Sequence, residues 1–478
     1  MKRLVFCFDG TWNTITMPYP TNVTKIAQAL RRVDKKGVVQ TIHYDEGVGT
    51  GDKSNIFVRL YQRASGAFGF GLTENIAEAY KFLVLNYEPG DQIYVFGFSR
   101  GAFSARSFVG LIRHSGVISR RSIARIQDAV ERYLRRRAND DPDADESCRF
   151  RFDNCYRSLV GGDREWRLKN APNEDYTDTP DLKIAYLGVW DTVGALGLPA
   201  HLGISKFVNW KYQFHDVRLT PFVERARHAV AADEKRKTFE PALWEDSEGI
   251  ALNGDPHYLQ QVFPGTHSAV GGGGPVRGIS DAALDWILRG ARDAGLAFDT
   301  DDRSPIFNLQ PDWRAQLHNA KGKLKWGIAD WLVGIGLWNR KLAQQEIDDI
   351  HEFTVRRVQE PPERLPEKAA YAPPSLKPLL GAIRAVDTKD KAEIDDRLVQ
   401  IKSLWADVGL RAPDSVVPYQ IKPGDTLKSI AQAHFGNGDL GELILLHNQH
   451  AGLLYRASEL YAGRPLELPV YKELQGVS

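Results

Sequence analysis

Residues 93–102 read Ile93-Tyr94-Val95-Phe96-Gly97-Phe98-Ser99-Arg100-Gly101-Ala102. The first four residues are apolar and typical of a buried strand, and small and apolar residues follow from 102 to 112 at helical spacing. Between them lies a Gly-x-Ser-x-Gly sequence. A serine at such a sharp turn between strand and helix is held toward solvent, and glycines two residues on either side avoid steric collision. The stretch therefore predicts a nucleophile elbow at Gly97, Ser99 and Gly101.

The elbow lies within a longer alternation of apolar strands and helical patterns. Residues 4–8 and 184–190 are further apolar runs, and residues 22–33 carry apolar side chains at helical spacing. Unbroken apolar strands followed by helices are typical of a parallel sheet that is covered on both faces. We therefore expect an α/β fold with a mostly parallel sheet and helices on both of its faces.

The 478 residues exceed one ordinary domain of roughly 100–200 residues. We predict a catalytic domain over residues 1–300 and a small C-terminal unit over residues 416–472. Between them, residues 301–412 are predicted to form a helical extension with a proline-rich linker. This extension carries apolar helical stripes at 328–342 and 394–408, where the tryptophans of the first stripe suit either a lipid surface or packing on the core.

Charge and cysteine content exclude several classes of protein. The 62 Lys and Arg residues balance 61 Asp and Glu residues, which does not favour a dedicated nucleic-acid binder. Three cysteines without a Cys-x-x-Cys pair predict neither a disulfide framework nor a structural zinc site, and we expect no metal and no cofactor. The apolar run at 4–8 is shorter than the roughly 7–15 residues of a signal peptide core. We expect a cytoplasmic protein whose export would use a route without a cleavable leader.

A nucleophilic serine needs a base, and the base needs an acid that orients it. In α/β-hydrolases these residues follow the order Ser, Asp or Glu, His along the chain. Asp191 fits the acid because it ends an apolar strand, and His267 fits the base because it precedes a flexible run of four glycines. His228 and His257 are alternatives. The apolar neighbours of His228 favour a buried structural histidine, whereas His257 follows a turn signal.

The reaction also needs donors for the oxyanion that develops on the substrate. The backbone N–H of Arg100 directly follows the nucleophile. Gly10 and Thr11, which follow the first strand, are the candidates for the second donor. In a competing interpretation, Asp9 is a metal ligand or a phosphoryl acceptor. A phosphoryl acceptor would require a second Asp two residues further on, where this chain has Thr11.

Five segments in this order resemble a family of bacterial and fungal α/β-hydrolase-like proteins that includes the first class of type VI secretion lipase effectors. They are residues 8–13 (FDGTWN), 96–102 (FGFSRGA), 190–194 (WDTVG), 228–234 (HAVAADE) and 265–273 (GTHSAVGGG). The resemblance implies an α/β-hydrolase-like fold and ester hydrolysis on glycerophospholipids, with Ser99, Asp191 and His267 as the triad. It also implies a phospholipid or other ester substrate, an immunity protein as partner, and delivery to the periplasm of a target cell.

The C-terminal unit resembles a LysM module, a small βααβ domain that binds glycans such as peptidoglycan. The resemblance rests on residues 419–427 (YQIKPGDTL) and on Asn448. It implies glycan binding at Gly424, Asp425 and Thr426, although the Pro-Gly-Asp turn and helix cap at these positions equally suit a docking module that contacts the secretion apparatus.

Three hypotheses for the function follow. The first is a serine phospholipase that works through an acyl-enzyme on Ser99. The second is a non-lipid esterase that the terminal unit directs to cell-wall glycans. The third is an inactive hydrolase fold that serves as a binding or scaffold protein.

Overall fold

A computed structural model of the protein describes residues 1–10, 13–47, 67–134, 141–194, 219–236, 239–247, 250–299, 304–306, 309–319, 339–340, 342, 346–386, 413, 415–436, 438–450, 460 and 462–470. The chain divides into two compact units. The larger unit comprises residues 1–299 and 308–384, and the smaller unit comprises residues 300–307 and 385–478.

A six-stranded sheet forms the centre of the larger unit. Its strands are β1 (Arg3–Phe8), β2 (Gln40–Asp45), β3 (Gln92–Phe98), β4 (Ile184–Trp190), β5 (Ala226–Ala231) and β6 (Tyr258–Phe263). They lie in the order β2-β1-β3-β4-β5-β6, and each adjacent pair is parallel. The predicted α/β-hydrolase-like fold with a mostly parallel sheet is confirmed.

Helices accompany this sheet, and the helix that the sequence predicts after Ser99 begins directly at Arg100. They are α1 (Asn22–Ala29), α2 (Ala67–Asn86), α3 (Arg100–Ser115), α4 (Ile126–Leu134), α5 (Asp145–Asn154), α6 (Asp163–Asn170), α7 (His267–Gly271), α8 (Gly278–Asp293), α9 (Glu352–Gln359) and α10 (Leu380–Ala385). Short 3₁₀ helices lie at Arg120–Arg125, Ile347–Asp349, Pro362–Arg364 and Pro374–Leu379.

The carboxyl ends of the strands meet at one edge of the sheet. Register places Phe8 opposite Gly97, and Phe98 opposite Trp190. Because β2 lies on one side of β1 and β3 on the other, the strand order reverses next to β1, the position at which open α/β sheets bind ligands. The loops that follow β1, β3 and β4 carry Asp9, Ser99 and Asp191 to this edge.

Two glycines let the turn after β3 pack closely. A Cβ atom on Gly97 would lie 2.6 Å from the Cα of Ala102, and one on Gly101 would lie 2.3 Å from the carbonyl oxygens of Phe8 and Asp9. The collision that these glycines avoid is thus with the backbone of α3 and of β1, rather than with the serine between them.

Residues 346–384, which fall in the predicted extension, contact the sheet and the loops that leave it. Val262 at the end of β6 pairs with Ile350, and its carbonyl accepts hydrogen bonds from the His351 N–H (3.1 Å) and the Thr354 hydroxyl (2.7 Å). Ser375 donates to the carbonyl of Ala232 just beyond β5 (2.9 Å). The predicted domain boundaries remain a prediction. Of the two helical stripes, only the last residues of 328–342 are described, and 394–408 lies outside the described residues.

The smaller unit contains an antiparallel pair of strands, β7 (Ser415–Gln420) and β8 (Pro465–Val470). Between them lie α11 (Leu427–Phe435), a 3₁₀ helix (Gly438–Leu440) and α12 (Gly441–His450). Ile421, Ile430, Ile444 and Leu466 are among the buried side chains of its small core. The order of elements is therefore βααβ.

Within the described residues, no helix combines the length and the apolar character that crossing a bilayer requires.

The contact of Gly101 with β1 predicts the effect of adding one methyl group there. Gly101→Ala forces backbone atoms apart and should lower the free energy of unfolding by about 1–3 kcal/mol. Gly381→Ala is the matched control, since nothing lies within 4 Å of a Cβ at this exposed position in α10, and it should raise stability by about 0.5–1 kcal/mol. Urea unfolding of both variants measures the difference, and equal midpoints would contradict the packing described here.

Candidate active site

Ser99 occupies a strained turn between β3 and α3. Its backbone has φ 61° and ψ −125°, a conformation that costs a non-glycine residue about 1–3 kcal/mol. The turn is held by the Ser99 N–H, which donates to the carbonyl of Trp190 on the neighbouring strand (3.0 Å). This backbone is the one that a nucleophile elbow requires.

His267 contacts Ser99 from the first residue of α7. Its Nε2 lies 2.8 Å from the Ser99 Oγ, and its Nδ1 lies 2.6 Å from the Asp191 Oδ2. The ring lies between Phe98 and Phe239, at centroid distances of 4.7 and 4.8 Å. Two aromatic rings and two hydrogen bonds therefore fix the imidazole. In the tautomer that these contacts favour, Nδ1–H donates to the carboxylate and Nε2 accepts from the hydroxyl.

Asp191 follows β4 directly and is fully buried. Its backbone has φ 39°, and the Ala231 N–H donates to its Oδ1 (2.9 Å). The structure thus brings together the three residues that were predicted as nucleophile, base and acid, in the order of a serine hydrolase. Their catalytic roles stay predictions.

Burial and charge set the protonation of this trio. Burial favours the neutral carboxyl of Asp191, but the Arg340 guanidinium and the hydrogen bonds from His267 and Arg340 outweigh it and hold the pKa well below its ordinary value. Burial also lowers the pKa of His267, and this effect exceeds the opposite influence of Asp191. At neutral pH the site therefore pairs an ionised carboxylate with a neutral imidazole, the state in which a histidine can accept a proton.

Arg340 is a residue of this site that sequence reasoning missed. Its Nη1 donates to the Asp191 Oδ1 (2.6 Å) and its Nη2 to the Asp191 Oδ2 (2.7 Å). The same two nitrogens donate to the carbonyls of Ala231 and Phe239, each at 2.7 Å. No spacing or motif links this arginine to Ser99, Asp191 or His267, so no signal in a single sequence could have found it.

The segment 228–234, which carries part of the resemblance, holds the loop of His267. Asp233 accepts hydrogen bonds from the Gly265 N–H and the Tyr371 hydroxyl, both at 2.7 Å. Glu234 accepts from the His267 N–H (3.2 Å) and forms an ion pair with Arg236. These two carboxylates therefore hold the backbone of Gly265 and of His267 itself.

The alternative histidines lie away from Ser99. His228 is fully buried, where its Nε2 accepts from the Thr192 N–H (3.2 Å) and its Nδ1 lies 2.9 Å from the Gln260 Oε1. Burial, with Arg106 nearby, lowers the pKa of His228 to about 3, so its ring is neutral. His257 pairs with Asp255 (2.7 Å) at a half-exposed turn.

The candidate oxyanion donors differ in their surroundings. Arg100 is the first residue of α3, directly after Ser99. The N–H of Gly10 donates to the Asp9 Oδ1 (2.6 Å), so it can serve an oxyanion only after exchanging this partner. Thr11 lies outside the described residues.

Asp9 is a buried structural carboxylate. Its Oδ2 accepts from the hydroxyls of Thr21 (2.6 Å), Thr24 (2.8 Å) and Tyr44 (2.7 Å). These bonds connect the end of β1 to the start of α1 and to β2. Across the described residues, no group of three or more His, Cys, Asp or Glu side chains is arranged to hold a metal ion.

A cavity of about 690 Å³ lies beside the His267 loop, with Thr266, Ser268 and Tyr371 in its wall. Its lining also includes charged side chains such as Glu234 and Arg236. Ser99 is not among the residues that line it.

The predicted glycan residues of the smaller unit build a turn and a helix cap. Gly424 has φ +85°, and the Asp425 carboxylate accepts from the Tyr419 hydroxyl (2.8 Å) and the Lys422 N–H (2.7 Å). The Thr426 hydroxyl accepts from the Ser429 N–H (3.0 Å) at the start of α11. Each of these three residues thus has a structural role in the turn or the helix cap. The LysM-like identity and glycan binding stay predictions.

Comparison with known proteins places the chain in a family. The sequence profile described as "T6SS, Phospholipase effector Tle1-like, catalytic domain" matches residues 2–290. "Uncharacterized protein YEL023C" of Saccharomyces cerevisiae (strain ATCC 204508 / S288c) is 29% identical over 246 residues, which are 50% of this chain and 32% of that protein. The chain therefore spans about a third of the length of this curated relative.

Two solved structures are similar at low identity. One is "Crystal structure of an uncharacterized protein from Pseudomonas aeruginosa" (16% identity, TM-score 0.36, 97% of this chain and 75% of that chain). The other is "Structure of the Tle1 effector bound to the VgrG spike from the Type 6 secretion system" (19% identity, TM-score 0.29, 58% of this chain and 52% of that chain). Because the family profile covers more than half of its length, the chain belongs to the family of Tle1-like phospholipase effectors of type VI secretion systems.

Proposed function

We propose that the protein is a serine phospholipase that hydrolyses carboxylic esters of membrane glycerophospholipids. The observation that carries this proposal is the hydrogen-bonded chain from the Ser99 Oγ through His267 to Asp191, with distances of 2.8 and 2.6 Å. Membership of a phospholipase effector family supports the substrate class.

The first half-reaction forms an acyl-enzyme. The Ser99 Oγ attacks the ester carbonyl carbon while the His267 Nε2 takes the hydroxyl proton. The carbonyl electrons move onto the oxygen, and backbone N–H groups near the elbow stabilise this oxyanion. We assign these donors to Arg100 and to Gly10 or Thr11. When the carbonyl re-forms, the ester C–O bond breaks and the imidazolium gives its proton to the departing alkoxide, which leaves as lysophospholipid.

The second half-reaction regenerates the serine. Water attacks the acyl carbon while His267 takes one of its protons, and the tetrahedral intermediate releases the fatty acid as Ser99 regains its proton. Asp191 keeps its negative charge throughout, since its role is to orient the imidazole and stabilise the imidazolium. The buried site suits this role because electrostatic interactions are stronger where water is excluded.

The alternative esterase and scaffold hypotheses differ from the proposal in their products. A phospholipase releases free fatty acid from defined phospholipids, whereas an esterase for acylated glycans releases acetate or a similar small acid from polysaccharide. An inactive scaffold releases neither product. Membership of the family favours the phospholipid.

The proposal extends to where the enzyme works. As a family member it would be made in the cytoplasm of the producing cell and delivered to the periplasm of a target cell, with an immunity protein protecting the producer. We assign to the C-terminal unit a contact with peptidoglycan or with the secretion apparatus. Sedimentation of the full chain with insoluble peptidoglycan distinguishes these two partners.

Ser99→Ala removes the nucleophile and should lower phospholipid hydrolysis by at least about 10³-fold while leaving the unfolding midpoint unchanged. Mass spectrometry of fatty acid and lysophospholipid released from defined vesicles measures the effect. Ser104→Ala is the control, because it makes the same change at a buried position of α3 and should keep full activity. Undiminished turnover by Ser99→Ala would refute the proposal.

The lowered pKa of His267 predicts the pH dependence of serine reactivity. Only the neutral imidazole can take the Ser99 proton. The rate of labelling by a fluorophosphonate should therefore fall as the pH is lowered, with a midpoint below about pH 6.5, the ordinary pKa of histidine. His267→Gln should slow labelling by at least about 10²-fold, whereas His257→Gln at the half-exposed turn should not. A midpoint above 6.5, or equal rates in the two variants, would contradict this assignment.

A further inference from the structure

Arg340 has an unusually complete set of contacts with Asp191. The two side chains are each 0% exposed, and both terminal nitrogens of the guanidinium reach the carboxylate, one on each oxygen. A bidentate pair of this kind is directional as well as attractive. The same two nitrogens also donate hydrogen bonds to the carbonyls of Ala231 and Phe239. These bonds fix the guanidinium itself.

We propose that Arg340 is a positioning residue of the hydrolase, which orients the Asp191 carboxylate toward His267 and sets the pH at which the Asp191–His267 couple takes up its proton. This inference rests on the proposed function, because it assigns a role within the same triad.

The first part of the role is geometric. The Asp191 Oδ2 accepts from both the Arg340 Nη2 (2.7 Å) and the His267 Nδ1 (2.6 Å), while the Oδ1 accepts from the Arg340 Nη1 and the Ala231 N–H. The plane of the guanidinium therefore determines the plane of the carboxylate. Without Arg340, the Ala231 N–H would be the one remaining donor to the Asp191 Oδ1 among the described contacts, and the carboxylate could rotate away from the imidazole.

The second part of the role is electrostatic. The ionisable side chains that face the couple are Arg340, Glu234, Arg236 and, with its neutral ring, His228. Of these, Arg340 alone pairs directly with Asp191 among the contacts that the described residues make. Loss of its positive charge leaves a buried carboxylate that favours protonation and that attracts a proton to His267 more strongly. Because of both effects, the Asp191–His267 couple would bind its proton at a higher pH.

Arg340 also lies beyond the part of the chain that the family profile matches. That part ends at residue 290, whereas Arg340 belongs to the stretch 308–384 that completes the sheet unit. The negative charge of Asp191 in the proposed triad is thus compensated by a residue outside the part of the chain that the family profile matches.

The test compares Arg340→Gln and Arg340→Lys with Arg151→Gln in the full chain. Arg151 is the matched control: it is a buried arginine that pairs with Asp163 through two nitrogens and also donates to the carbonyls of His114 and Pro142. Two readouts are measured for each variant. The first is the proton-binding midpoint of His267 from ¹⁵N NMR of labelled histidines without substrate, and the second is the pH profile of kcat/KM on a phospholipid.

Arg340→Gln should raise the midpoint of the couple by about one pH unit, a tenfold change in proton affinity, and should move the acidic limb of kcat/KM by the same amount. Arg340→Lys keeps the charge but not the two parallel bonds. It should keep the midpoint within a few tenths of a unit while lowering kcat about tenfold at unchanged KM. Arg151→Gln should lower thermal stability and move neither readout.

An unchanged midpoint in Arg340→Gln, or a shift of equal size in Arg151→Gln, would overturn the proposal. If Arg340→Gln does not fold, full kcat in Arg340→Lys would overturn it as well. A wild-type protein that hydrolyses no ester but shows the NMR shift in Arg340→Gln would refute the proposed function while supporting the inference.

Discussion

The negative charge of Asp191 is the constraint on which the rest of the site depends. A carboxylate buried without a partner costs several kcal/mol, and removing one member of a buried pair costs about 3–5 kcal/mol. Its compensation comes from separate parts of the chain: the His267 ring, the Ala231 N–H and the Arg340 guanidinium. The end of β5, the start of α7 and Arg340 must therefore all meet at the end of β4.

The parallel sheet makes this meeting feasible. With the carboxyl ends of its strands in register, the turns after β3 and β4 start side by side, and Ser99 donates across them to Trp190. Ser99 has a strained backbone, and the turn that contains it is anchored by the bond to Trp190 and by the close approach of Gly101 to β1. Close packing of the turn that contains Ser99 thus helps to maintain its strained backbone.

Local patterns made most of the fold and the trio predictable. The apolar runs, the glycines around Ser99 and the position of Asp191 at a strand end each follow from short-range rules. Arg340 could not be predicted, because a single arginine carries no spacing that relates it to a carboxylate 149 residues earlier. Nor could the bond from the Gly10 N–H to the Asp9 carboxylate, since only the folded backbone decides which acceptor an amide meets. Long-range charge pairing and backbone direction are properties of the tertiary structure.

In the proposed mechanism, Ser99 carries the acyl group between two half-reactions. Rapid quenching of the enzyme during turnover of a slowly deacylating short-chain ester, followed by mass spectrometry of its peptides, detects this intermediate. An acyl-enzyme on Ser99 should give a burst of alcohol equal to the enzyme concentration and an acyl adduct on the peptide that contains Ser99. Steady turnover with no adduct, or with the adduct on another residue, would contradict it.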